Sequence, residues 1–203
     1  MQKDEEKRIG LRDRKKLKTR ISVQQHAMRL FRQQGYSATT VEQIAEAAEI
    51  SPSTFFRYFP TKESVVLTDF YDPLLIEAFL SQPQDLPPLE ALRSAIKEAF
   101  ANMSADESAS EIERSRLILS VPELRVAALS NLFGTFDAMA DALAKRTHRK
   151  PDEPAVRMFV GAFFGIAMAV GTIWLENPDN DMIAAMDTAI AYLEQGLPLT
   201  DLM

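Results

Sequence analysis

Residues 39–63, TTVEQIAEAAEISPSTFFRYFPTKE, constrain the fold of this chain more tightly than any other stretch. Thr40 is a good helix N-cap, and Gln43 three residues later completes a capping box ahead of the apolar Ile44, Ala45, Ala47 and Ala48. The helix lapses near Glu49. Ser51 can then cap a second helix, with Pro52 at its first position, where the missing N–H costs nothing. This second helix, 53–59, is too short to be stable alone. It sets Ser53, Thr54, Arg57 and Tyr58 on one side and the apolar rings of Phe55 and Phe59 on the other. Pro60 stops it and Thr61 caps the next. Helix, tight turn and short polar-fronted helix form a helix-turn-helix, whose second helix enters the DNA major groove.

The charge balance fits that reading only when it is divided along the chain. The formal net charge over 203 residues is −6, which taken whole disfavours a polyanionic partner. Residues 1–62, however, hold thirteen Lys or Arg against seven Asp or Glu, and the remainder ten against twenty-two. A cationic N-terminal third on an anionic body is drawn to phosphate at one end and repelled at the other, which orients docking. There is no Cys, so disulfide scaffolds, thiolate metal sites and Cys nucleophiles are excluded, and a reducing compartment fits. The first residues lack an apolar core of the kind a signal peptide needs, and a cytoplasmic protein is expected.

No strand-like alternation and no internal repeat is present, and the expected class is all-α with about nine helices. The organisation is a flexible basic arm over residues 1–11, a helix-turn-helix domain over 12–62, and a ligand-binding and dimerisation domain over 63–203. A helix over 12–34 carries the stripe Leu17, Ile21, Ala27, Met28, Leu30 and Phe31 and ends at Gly35. Next come a helix from Thr61 to about Tyr71, broken by Asp72-Pro73, a short one to Leu80, and a Pro-rich loop at 82–88. Further helices are expected over 89–103, 111–119, 121–146, 153–175 and 179–195, with a polar turn at 104–110. Residues 158–175 form an uncharged run of eighteen. That length is at the minimum for a membrane span, but a helix buried by its own core on one side and a partner on the other reads alike, and the latter is favoured.

Residues 19–65 resemble the DNA-binding domain of the TetR family of transcriptional regulators. The matching features run in order from a basic helix ending at Gly35-Tyr36, through Thr39-Thr40, Ile44-Ala45, Ala47-Ala48 and Ser51, to residues 54–63, TFFRYFPTKE. The resemblance implies a homodimer reading a pseudo-palindromic, double-stranded operator, a repressor rather than an enzyme, and release by a small effector. Thr39 and Thr40 then fall where phosphate is met. Ser51, Pro52, Ser53 and Thr54 lead the recognition helix toward base edges, Arg57 reaches guanine or phosphate, and Tyr58 and Lys62 clamp the backbone. Two positions depart from the family. Phe56 stands where Tyr is usual, removing one phosphate hydrogen bond. Glu49 stands where Gly is usual in the turn, at a cost of about 1 kcal/mol if the backbone there is left-handed.

Candidate chemistry elsewhere is thin. His26 and His148 are far apart and belong to no metal-spacing motif, and no catalytic group, metal or cofactor is expected. The resemblance implies a cavity in the body. Its apolar candidates are Phe100, Met103, Leu117, Phe133, Met139, Phe164 and Met168, and its polar ones Arg116, Asn131, Thr135 and Thr172. Arg114 suits an ion pair better. So apolar a lining favours a lipophilic or acyl effector. The last two helices would form the dimer seam through Phe159, Gly161, Phe163, Gly165, Ile166, Val170, Trp174, Met186 and Ile190, with Phe159, Phe163, Ile166, Val170 and Trp174 shared between core and interface, and no membrane partner is expected. The alternatives are a DNA-binding factor without an effector and a small helical enzyme or lipid carrier. The latter leaves the basic third without a purpose.

Overall fold

The computed structural model describes residues 11–101, 103–177 and 180–197. Ten helices and no strand occur among them: α1 (Leu11–Gln34), α2 (Val41–Ala47), α3 (Pro52–Tyr58), α4 (Lys62–Leu67), α5 (Asp72–Ser81), α6 (Pro88–Phe100), α7 (Ala105–Ser120), α8 (Pro122–Thr147), α9 (Pro154–Glu176) and α10 (Met182–Glu194). The arm expected at residues 1–11 lies, Leu11 apart, outside the described residues, as do Pro178 and Asp179. Those first eleven residues hold three basic and three acidic side chains, so the cationic character belongs to α1 rather than to the arm.

The chain divides into two compact units, Met1–Thr68 and Asp69–Met203. In the first, Val23, Ala27, Met28 and Phe31 of α1 are buried with Ile44, Ala45, Phe55, Phe59, Val65 and Val66, while Leu17 of the expected stripe is 41% exposed. The unit therefore includes α4, which the sequence placed in the body. This helix stops at Leu67, four residues short of expectation. Thr68 turns extended, its hydroxyl donates to the Ser64 carbonyl at 2.7 Å, and the Gln24 amide reaches from α1 to the carbonyls of Val65 and Thr68 at 2.8 and 2.9 Å. Those bonds satisfy the orphan carbonyls of a helix end, so the helix stops where a neighbour caps it.

The second unit packs α5, α6, α8, α9 and α10 around one apolar cluster that includes Phe79, Leu92, Ile96, Leu143, Val160 and Ile190. Asp72-Pro73 opens α5 rather than ending α4, because a proline is tolerated in a first helical turn. The stretch expected as a polar turn begins α7: the Ser104 hydroxyl accepts from the Glu107 N–H while the Glu107 carboxylate accepts from the Ser104 N–H at 2.8 Å, a complete capping box. Arg146, 6% exposed, donates to the carbonyls of Gln82, Pro83 and Leu86 and so fixes the Pro-rich loop.

Candidate functional site

In the first unit, local bonds build a polar surface from α2 and α3. The Thr40 hydroxyl accepts from the Gln43 N–H and the Gln43 side chain accepts from the Thr40 N–H, so α2 starts in a closed capping box. Ser51 accepts from the Thr54 N–H at 3.1 Å and its hydroxyl lies 2.9 Å from those of Ser53 and Thr54. The tight turn between the two helices runs through Glu49 at φ 55°, the left-handed conformation glycine would adopt more cheaply.

Burial sorts the faces of α3. Phe55 and Phe59 are fully buried and their rings meet at 5.8 Å, whereas Phe56 is 50% exposed. Ser51, Pro52, Ser53 and Arg57 are exposed and Thr54 and Tyr58 half-buried, with the Arg57 guanidinium 5.2 Å from the Tyr58 ring centre. One short helix thus presents hydroxyls, a proline, a phenyl ring and a guanidinium on a rigid apolar footing.

Two of the expected contact residues stand differently. Thr39 is 1% exposed, and its hydroxyl donates to the Gly35 carbonyl at 2.8 Å and accepts from Gln34. It closes the α1–α2 turn and offers almost no surface to solvent. The Lys62 ammonium donates to the carbonyls of Tyr36 and Thr39 at 2.9 and 3.0 Å and lies 4.2 Å from the Tyr36 ring centre. Two of its three donors therefore hold the start of α4 against that turn.

In the second unit, a cavity of about 180 Å³ opens among α5, α6, α8, α9 and α10. Four of the expected ligand residues line it: Phe100, Thr135, Met139 and Phe164. The others stand elsewhere. Met103 lines a separate cleft near Tyr71, Arg116 donates to the Leu175 carbonyl at 2.8 Å, and Asn131, Phe133, Met168 and Thr172 are exposed. Leu117 is half-buried without touching the cavity. Conversely, Phe163, Val170 and Met186, expected in the dimer seam, line the cavity. Trp174 and Ile190 are also buried within the single chain at 8% and 1% exposure. Phe159 and Ile166 are half-buried against the core cluster, and Gly161 and Gly165 are exposed. A helix that is apolar all round gives no sign, in sequence, of which face turns inward.

The cavity also holds a residue that the sequence reading took as a helix breaker. Asp72 accepts from the Thr135 hydroxyl at 2.9 Å, and burial, helped by the nearby charge of Asp69, holds its carboxyl above the usual aspartate range. Thr135 and the charge of Arg114 act against that rise. A carboxyl raised on folding binds its proton more tightly in the native state, so stability falls as pH climbs from the ordinary value near 3.8 through the raised one. Asp72→Asn removes that loss. Its melting temperature should exceed that of the wild type by a margin that is smallest below the ordinary value near 3.8 and widens as pH climbs through the raised one. A margin constant over that range would show that Asp72 ionises as freely in the folded chain as in the unfolded one.

Among the described residues, no three His, Asp or Glu side chains are placed to hold a metal ion. One helix, Pro154–Glu176, is long and apolar enough to cross a membrane, and 22% of its apolar window is buried within the subunit. Its exposed face runs through Met158, Gly161, Gly165, Met168, Ala169, Thr172 and Ile173, and that of α10 through Ala184, Thr188 and Tyr192. Charge meets these faces only at their ends, at Arg157 and Glu176 on α9 and at Glu194 on α10.

Residues 25–68 match the family described as bacterial regulatory proteins, tetR family, and residues 86–198 match the MftR C-terminal domain. The chain is 33% identical to the HTH-type transcriptional regulator TcmR of Streptomyces glaucescens over 93% of its own length and 88% of the relative's. It is 27% identical to the putative mycofactocin biosynthesis transcriptional regulator MftR of Mycobacterium tuberculosis, over 95% and 96%. Among solved structures, the FadR repressor of Thermus thermophilus, in complex with lauroyl-CoA, shares the fold at a TM-score of 0.55 and 24% identity, covering 90% of this chain and 96% of its own. The matching families and relatives are transcriptional regulators, not enzymes.

Proposed function

The chain belongs to the TetR family of DNA-binding transcriptional regulators, and from that premise we propose that it is a repressor that binds a pseudo-palindromic operator as a homodimer and leaves it when a small lipophilic effector fills the cavity. The observation that carries the reading is the division of α3: Phe55 and Phe59 fully buried, and Ser51, Pro52, Ser53, Phe56 and Arg57 turned to solvent. Hydroxyls at the leading end suit base edges, Phe56 suits a thymine methyl or a sugar, and Arg57 suits guanine or phosphate. Thr40, exposed at the start of α2, suits a phosphate. Tyr58, half-buried, and the remaining donor of Lys62 suit neighbouring phosphates.

The uncharged outer stripes of α9 and α10 support the dimer. A large apolar surface left in water marks an interaction site, and a second copy of the same stripe is its natural complement. Two recognition helices in successive major grooves would then sit about 34–36 Å apart.

Selection of bound sequences from random DNA tests the reading. A two-fold symmetric motif with half-sites about one helical turn apart is expected; no enrichment at low salt would overturn it. At the residue level, Arg57→Ala should weaken binding to the selected operator about 10- to 100-fold with the dimer intact. Unchanged affinity in a gel-shift titration would remove Arg57 from the interface.

A further inference from the structure

Of the fourteen residues lining the body's cavity, only Asp72 and Thr135 are polar. They are bonded to each other at 2.9 Å, with the Thr135 hydroxyl donating to the carboxylate. The cation whose charge reaches Asp72, Arg114, is already ion-paired with Asp69 at 2.7 Å and with Glu111. Asp72 thus brings a negative charge to an apolar wall, with one hydroxyl for company and two further acids nearby. A carboxylate so placed is costly until a positive charge joins it.

The rest of the wall suits the same guest. Phe100, Phe163 and Phe164 contribute three aromatic rings. Phe164 is packed at 5.6 Å against Phe163 and at 5.7 Å against Phe136, and Phe100 is stacked at 5.4 Å on Tyr71. Ring faces attract cations and rings also bury apolar bodies. Met139, Met182 and Met186 supply side chains that adapt to irregular shapes.

We propose that the effector is a lipophilic cation, an amine or ammonium group on an apolar body, whose positive group is received by Asp72 and whose body lies among the Phe and Met side chains. The inference rests on the reading of the body as effector-binding and names the chemical class. An acyl effector suits the apolar wall equally well, but a carboxylate or phosphate carried in with it would face Asp72, with Asp69 and Glu111 behind. The acidic residue on the wall therefore discriminates between guests of equal apolar content by the sign of their charge.

Isothermal titration calorimetry on the full chain, with phenylbutylamine, phenylbutanol and phenylbutyrate as probes, separates the possibilities because the three share one apolar body. The amine should bind about tenfold or more tightly than the alcohol, and the acid more weakly than both. Asp72→Asn should reduce amine affinity about tenfold and bring it level with the alcohol. Its own melting curve checks that this variant is folded. An amine bound no more tightly than the alcohol, an acid bound as well as the amine, or an amine affinity unchanged in Asp72→Asn would each overturn the proposal. Operator selection, run separately, keeps the two readings apart. A symmetric motif with no preference for the amine leaves the regulator standing and removes the cationic effector. Amine binding at Asp72 without any selected motif does the reverse.

Discussion

If the proposed seam is right, Gly165→Glu should yield a monomer by light scattering at concentrations where the wild type would be a dimer, with helicity retained and operator affinity lowered about 100-fold or more. The expectation follows from where Gly165 lies. It is exposed on α9, and a Cβ built there meets nothing within 4 Å. The subunit's own core therefore accommodates the longer side chain. Below it, Phe163, Val170 and Trp174 point inward and remain untouched. In a two-fold dimer the same patch faces itself, so each substitution is met twice. Two carboxylates entering an uncharged seam cost several kcal/mol in desolvation and mutual repulsion, enough to dissociate an ordinary interface. A monomer would grip one half-site of the proposed operator only, hence the expected loss on DNA. If the variant stays dimeric, the seam lies elsewhere. The exposed stripe Val126, Leu129 and Phe133 on α8, at 68%, 56% and 70% exposure, is then the next apolar face to test.

The helix-turn-helix was legible in sequence because its signals are local. Thr40 with Gln43, Ser51 with Pro52, and Thr61 each act on backbone N–H groups within three residues, so spacing alone specifies the bond. The Ser104–Glu107 box obeys the same rule and was hidden only by the polar residues around it. The end of α4 was not legible, since the amide that caps it belongs to Gln24, more than forty residues earlier. Lys62 tells the same story. Its position matches a phosphate contact, but only the folded unit brings the carbonyls of Tyr36 and Thr39 to its ammonium.

The cavity was half legible for a different reason. Apolar periodicity identifies which residues of α9 share a face, yet every face of this helix is apolar, so it did not tell that Phe163 and Val170 line the cavity while Met168 and Thr172 are exposed. Asp72 was missed because an Asp-Pro pair reads as a helix stop. An acid at the head of the apolar run Leu74, Leu75 and Ile76 was the available signal, and it acquires meaning only when Thr135 arrives from α8.

The pairing that surrounds this acid sets the second large expected effect. Arg114→Ala should destabilise the body by about 3 kcal/mol, a drop of roughly 6–12 °C in melting temperature for a chain of this size. The Arg114 side chain is 9% exposed and bridges α7 to Asp69, forty-five residues earlier, while its neighbour Glu111 shares the guanidinium. Truncation leaves two carboxylates facing each other without a cation, which costs more than the pair contributes when whole. Their exposures of 30% and 21% let water recover part of that loss, so the lower end of the usual range for breaking a buried pair applies. The two possible origins of the effect are separable. Arg114→Met combined with Asp69→Asn and Glu111→Gln restores neutrality and most of the volume, and should regain most of the lost stability if unpaired charge is the cause. A triple variant as unstable as Arg114→Ala would assign the loss to packing instead. The pH dependence supplies a further check with a definite sign. Arg114 lowers the Asp72 carboxyl, so its removal raises that carboxyl further, and the deficit of Arg114→Ala should grow as pH rises. A deficit that shrinks toward alkaline pH would mean that the guanidinium is not what offsets the charge of the three acids.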